Sequence, residues 1–129
     1  MKDIKWKAIL YGFLIVIGLD LLTGIFLGFF LGKEILADPK DPNVTAKNIL
    51  SQYHILGYLS TAVGGFFAAK IAKVKPYLHA GLVGAIGIIF SAFSLASSFE
   101  IPSLISLVLT TPAGLLGGYV YQMTKKENE

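Results

Sequence analysis

The chain has 129 residues, of which 54% are hydrophobic, with a formal net charge of +3 at pH 7 and a mean hydropathy of +0.68. So apolar a composition excludes an ordinary soluble domain, and the length suffices for about four membrane spans in one integral membrane domain. Cysteine is absent, which excludes disulfides, thiolate chemistry and Cys-based metal sites. All eleven cations are lysines in short clusters flanking apolar runs, a pattern that orients spans in a bilayer and argues against nucleic-acid binding.

Lys2, Lys5 and Lys7 precede a run from Ala8 to Gly32 in which every residue is apolar or small except Asp20 and Thr23. That run is far longer than the roughly 7 to 15 residues of a signal-peptide core, and Ile35-Leu36-Ala37 makes a poor cleavage site, so it reads as a retained first span over 7–32. Steps of four give Gly12, Val16, Asp20, Gly24, Gly28 and Gly32. The acid therefore shares a slowly drifting face with a small-residue run, and that face is expected to pack against protein. The polar segment that follows, with Asp38-Pro39-Lys40-Asp41-Pro42-Asn43 at its centre, predicts an outer loop over 33–48. Thr45 can cap a second helix whose apolar part spans 55–73, and Lys73-Val74-Lys75-Pro76 ends it. A third span is expected over 77–98, a short reversal at Glu100-Ile101-Pro102, a fourth span over 102–123, and a frayed polar tail from Lys125.

Lysine placement orients the chain. Lys2, Lys5, Lys7, Lys70, Lys73, Lys75, Lys125 and Lys126 fall on the side of both termini, against Lys33, Lys40 and Lys47 on the other, so both termini are expected in the cytoplasm of a prokaryotic inner or plasma membrane. Asn43-Val44-Thr45 is formally a glycosylation acceptor on the non-cytoplasmic side, although chance triplets are common. Ser60, Gly64, Ala68 and Ala72 recur every four residues, Ala80, Gly84, Gly87, Ser91, Ser94 and Ser98 alternate three and four, and Thr110, Gly114 and Gly118 repeat the pattern. Such faces let helix backbones approach closely in lipid, so the fold expected is an all-α integral membrane four-helix bundle. Leu59 to Gly64 also aligns with Leu109 to Gly114, and Gly12 and Gly18 are spaced like Gly81 and Gly87. Two tandem helical hairpins would explain this, and so would the low complexity of apolar helices.

Counting about twelve residues from the cytoplasmic end of each span brings Asp20, Ser60, Thr61, Ser91, Thr110 and Thr111 to one depth, and Pro112 frees the Val108 carbonyl nearby. Two readings of this layer are open. In one, a protonated Asp20 donates to a hydroxyl and the layer sets helix register. In the other, an ionised Asp20 with the hydroxyls and the Val108 carbonyl forms an all-oxygen site for a proton or Na⁺. His54 and His79 read as interfacial anchors at opposite ends, and Trp6 and the tyrosines fall mostly near span ends. No nucleophile-and-base set, phosphate loop or metal-ligand cluster is present in the sequence, so neither enzyme activity nor a cofactor is expected.

Gly64-Gly65-Phe66-Phe67-Ala68-Ala69-Lys70-Ile71-Ala72, His79-Ala80-Gly81-Leu82-Val83-Gly84 and Gly117-Gly118-Tyr119 before a basic tail resemble small prokaryotic four-span membrane proteins of uncharacterised families. The resemblance implies a four-helix fold and no activity. In plan the chain is also similar to small multidrug resistance transporters, whose first span carries an essential acid. Asp20 stands at that place, but as Asp rather than Glu and without the surrounding motif. Two functions follow as expectations: a non-enzymatic membrane protein acting through helix–helix contact with a second copy or a partner, such as an accessory subunit or immunity-type protein, or a small cation-coupled transporter or channel.

Overall fold

Proline, lysine and the apolar runs divide the chain into four helices: α1 (Trp6–Ala37), α2 (Pro42–Ala72), α3 (Pro76–Ser94) and α4 (Ile101–Glu127). The computed structural model describes residues 4–37, 42–94 and 101–127, with side chains over 4–29, 32, 55–89 and 108–127. Prolines 42 and 76 each occupy the first position of a helix, where the missing N–H is no loss and the fixed φ suits the first turn. Pro112 lies inside α4.

The helices exceed the expected spans. α1 and α2 have 32 and 31 residues, about 46 to 48 Å each, against a hydrocarbon core of roughly 30 Å. The described parts of the outer loop expected over 33–48, residues 33–37 and 42–48, are therefore helix, because polar residues beyond an apolar run can continue a helix into water, and 38–41 lie outside the described residues. Lys125 and Lys126 are likewise not a frayed tail but part of the last helical turn of α4, where their charge complements the carbonyl end of the helix dipole.

The result is an all-α four-helix packed bundle. α2 packs closely on both α1 and α4, α3 packs closely on α4 and also meets α2, α3 touches α1 more lightly, and α1 and α4 barely meet. The section is thus a rhombus whose short diagonal is the α2·α3 contact. Among the described residues, Trp6–Phe29 and Ile55–Ala72 are long and apolar enough to cross a membrane, and Pro76–Ile89 is a shorter apolar helix. The spans expected over 77–98 and 102–123 run into residues whose side chains lie outside the described set.

Side-chain size in this bundle is inverted relative to a water-soluble core. Buried positions are held by Ala8, Ala68, Ala69, Ala72, Ala80 and Ala113 and by glycines, with Ile9, Val16 and Val83 as the larger members. Leu22, Ile25 and Leu116 are meanwhile 66%, 71% and 61% exposed. Backbones meet where the small residues lie. A Cβ added at Gly12 would come within 2.7 Å of the Gly64 carbonyl oxygen, and one at Gly84 within 2.7 Å of the Thr110 carbonyl oxygen. One at Gly117 would collide with the Ala62 carbonyl, and one at Gly65 with that of Gly114. No larger residue fits at these crossings without moving a helix.

Candidate functional site

Asp20 sits half-buried two turns beyond the Gly12–Gly64 crossing, where α1 begins to turn its packed face away from α2. Its carboxyl hydrogen-bonds the Ser60 hydroxyl. Ser60 is itself buried, and its Oγ lies 3.1 Å from the Leu56 carbonyl oxygen, one turn back on α2. Thr61 behaves in the same way, donating to the Gly57 carbonyl at 2.9 Å. Both hydroxyls are therefore satisfied within their own helix, as Ser and Thr in apolar helices commonly are. A hydroxyl has one proton. It can pass that proton to the Leu56 carbonyl or to the Asp20 carboxyl.

The rest of the expected layer is arranged differently. Ser60 shares the α1-facing side of α2 with Gly64, whereas Thr61 shares the α4-facing side with Gly65. Thr110 and Thr111 pack on α3, where the Thr110 methyl would meet a Cβ at Gly87 at 3.3 Å and the Thr111 Cα one at Gly84 at 2.8 Å. Val108 is 68% exposed, and Pro112, one turn on, is exposed as well, so the carbonyl freed by the proline lies on the outer side of α4. Asp20 and Ser60 thus lie together between α1 and α2, while Thr61 faces α4 and Thr110 and Thr111 face α3. The Ser91 side chain, like that of His54, lies outside the described residues.

The small-residue positions divide equally sharply. Gly64, Ala68, Gly84, Gly114 and Gly118 are buried at helix crossings, and Gly87 lies against Thr110. Gly24 is half-buried, while Gly28 is exposed. A Cβ at Gly28 or Gly32 would meet nothing within 4 Å among the described residues.

His79 is not the interfacial anchor expected. It is fully buried, and its ring joins two elements: the Lys5 backbone N–H donates to Nε2 at 2.9 Å, and Nδ1 donates to the Lys75 carbonyl oxygen at 3.0 Å. Because Nε2 accepts, the proton must be on Nδ1. The ring thus fastens the start of α1 to the turn between α2 and α3. The sequence carried one signal of this, the spacing of four between Lys75 and His79 across the first turn of a helix begun by a proline. Among the described residues no buried side-chain nitrogen or oxygen lacks a hydrogen-bond partner, and no cluster of His, Asp or Glu is grouped to hold a metal ion.

Compared with known proteins, the chain matches no family model, no curated protein and no solved structure.

Proposed function

We propose that this chain is an integral protein of a prokaryotic inner or plasma membrane, crossing it four times with both termini in the cytoplasm. It acts without catalysis, by offering the outer half of α1 to a second membrane helix. That helix belongs to another copy of the chain or to a partner for which this protein is an accessory or immunity-type subunit. The membrane reading is supported by the inverted core: small residues inside and Leu, Ile and Phe outside suit a solvent of acyl chains, where helices associate through close backbone contact rather than hydrophobic drive.

A single observation carries the interaction reading. The other small-residue faces meet a neighbouring helix at Gly12, Gly64, Gly65, Gly84, Gly114, Gly117 and Gly118, whereas Gly28 stands exposed beside Ile25 and Phe29. An open Gly-xxx-Gly step with Gly32 on a lipid-facing helix is the feature that lets two helices approach. Photobleaching steps of labelled chains in liposomes count the copies. The wild type is expected to pair, and Gly28→Ile to weaken pairing by about tenfold, roughly 1.4 kcal/mol, with the monomer fold intact. Equal pairing by both would remove Gly28 from the interface.

Asp20 favours a second reading, a small proton- or Na⁺-coupled transporter. The support is its placement: a half-buried carboxyl beside the Ser60 hydroxyl, within a helix long and apolar enough to cross a membrane. In proteoliposomes this reading expects cation flux from the wild type and background flux from Asp20→Asn. Background flux from both leaves the interaction reading, under which Asn keeps the bond to Ser60 and stability changes by less than about 1 kcal/mol.

A further inference from the structure

We infer that the Lys73-Val74-Lys75 turn is a preformed docking surface for the headgroups of anionic phospholipids, an inference that rests on the membrane reading above. Lys5, Lys7, Lys70, Lys73, Lys75, Lys125 and Lys126 are all exposed at the end of the bundle where α1 starts, α2 meets α3 and α4 stops. Glu127 is the one acid among the described residues there. Charge of this density next to an apolar belt complements anionic headgroups.

The second observation is backbone conformation. Lys73 and Lys75 have φ of 59° and 44°, the left-handed region in which a residue with a Cβ is disfavoured, and Lys75 also precedes a proline. Lys73 closes α2 through its N–H to the Ala69 carbonyl at 3.0 Å, a position that glycine usually fills. Lysine at both places retains cationic side chains where the backbone would favour their absence, and strain of that kind gathers at sites that bind.

The turn is also held rigid. The Lys75 carbonyl accepts from the N–H of Leu78 and from His79 Nδ1, both at 3.0 Å, and His79 is tied in turn to Lys5. Val74 stands exposed between the two lysines, and Trp6 and Tyr77 are exposed at the same end. An exposed apolar side chain between two exposed lysines is the pairing that suits the boundary between lipid phosphates and acyl chains.

Detergent-solubilised full-length protein titrated with short-chain phosphatidylglycerol, and followed by its melting temperature, tests the inference. The wild type is expected to gain stability with phosphatidylglycerol and to gain little from phosphatidylcholine or inorganic phosphate. Lys73→Gly/Lys75→Gly is expected to fold at least as stably without lipid, since glycine relieves the backbone. Its phosphatidylglycerol midpoint should rise about 25-fold, at about five-fold per lysine. Paired Lys125→Gln/Lys126→Gln should shift the midpoint less. Equal stabilisation by the two lipids, or by inorganic phosphate, would overturn the inference alone, as would an unshifted midpoint in the glycine variant. Solubility of the wild type without detergent would overturn the membrane reading as well.

Discussion

Gly117→Ala should destabilise the bundle by about 3 kcal/mol or more, the largest effect expected of a methyl group added at any of the described glycines. The added Cβ would fall on the Ala62 carbonyl and within 2.7 Å of the Phe66 amide nitrogen. Both are backbone atoms of α2, which cannot rotate aside as a side chain does, so α2 and α4 must separate. Separation breaks the Gly65–Gly114 approach one turn away and the edge-to-face contact of Phe66 with Tyr121 across the same interface, with ring centroids 5.9 Å apart. Gly18→Ala is the matched control: that position on α1 is exposed and open, so the substitution should gain about 0.5 to 1 kcal/mol from helix propensity. Reversible unfolding of the two variants in mixed micelles measures the contrast. Equal effects would mean that the backbones of α2 and α4 are not in contact at Gly117.

His79→Leu should cost about 2 to 4 kcal/mol, because leucine fills the space and leaves two polar groups behind. The Lys5 N–H loses its acceptor in a partly buried bond, and the Lys75 carbonyl loses one donor while keeping the Leu78 N–H. Gln at this position can accept and donate from one side chain, and should restore about half of the loss. Amide exchange at Lys5 separates a latch from mere packing. In the wild type it should be slow for a residue just ahead of a helix, in His79→Leu fast, and in His79→Gln intermediate. Uniform exchange across the three would mean that the ring only fills volume.

The division of the chain into four helices was legible because apolar runs, lysine clusters and prolines agree on where each begins. Helix ends were less so: polarity at 33–48 marks where the apolar run stops, not where the helix stops, and Ala37 and Pro42 lie well inside that range. The small-residue faces were visible too, but not which of them are occupied. For α1 the reason is rotation. Each step of four residues advances about 40° beyond a full turn, so from Gly12 to Gly32 the face drifts by about 200°. Gly12 faces α2, Asp20 lies at its edge, and Gly28 has left it. One face on paper is thus two in space.

How the polar residues divide between helix faces was not legible either. Depth along a helix can be counted from its ends, but lateral position depends on packing order, and nothing in the sequence announces that α1 and α4 barely meet. His79 was misread because a histidine beside lysines at a span end looks interfacial. What buried it was the carbonyl of Lys75, aimed inward by the turn that Pro76 closes.

The absence of native cysteine permits the most direct test of the inverted bundle. Single substitutions Lys7→Cys, Lys75→Cys, Lys126→Cys, Leu22→Cys and Leu116→Cys would be exposed in intact cells and in inside-out vesicles to a charged, membrane-impermeant maleimide. The account predicts that the three lysine positions react only in inside-out vesicles and that both leucine positions, although uncovered by protein, stay unlabelled in either. Rapid labelling at Leu22→Cys and Leu116→Cys without detergent would mean that water rather than lipid bathes those side chains, and would contradict it.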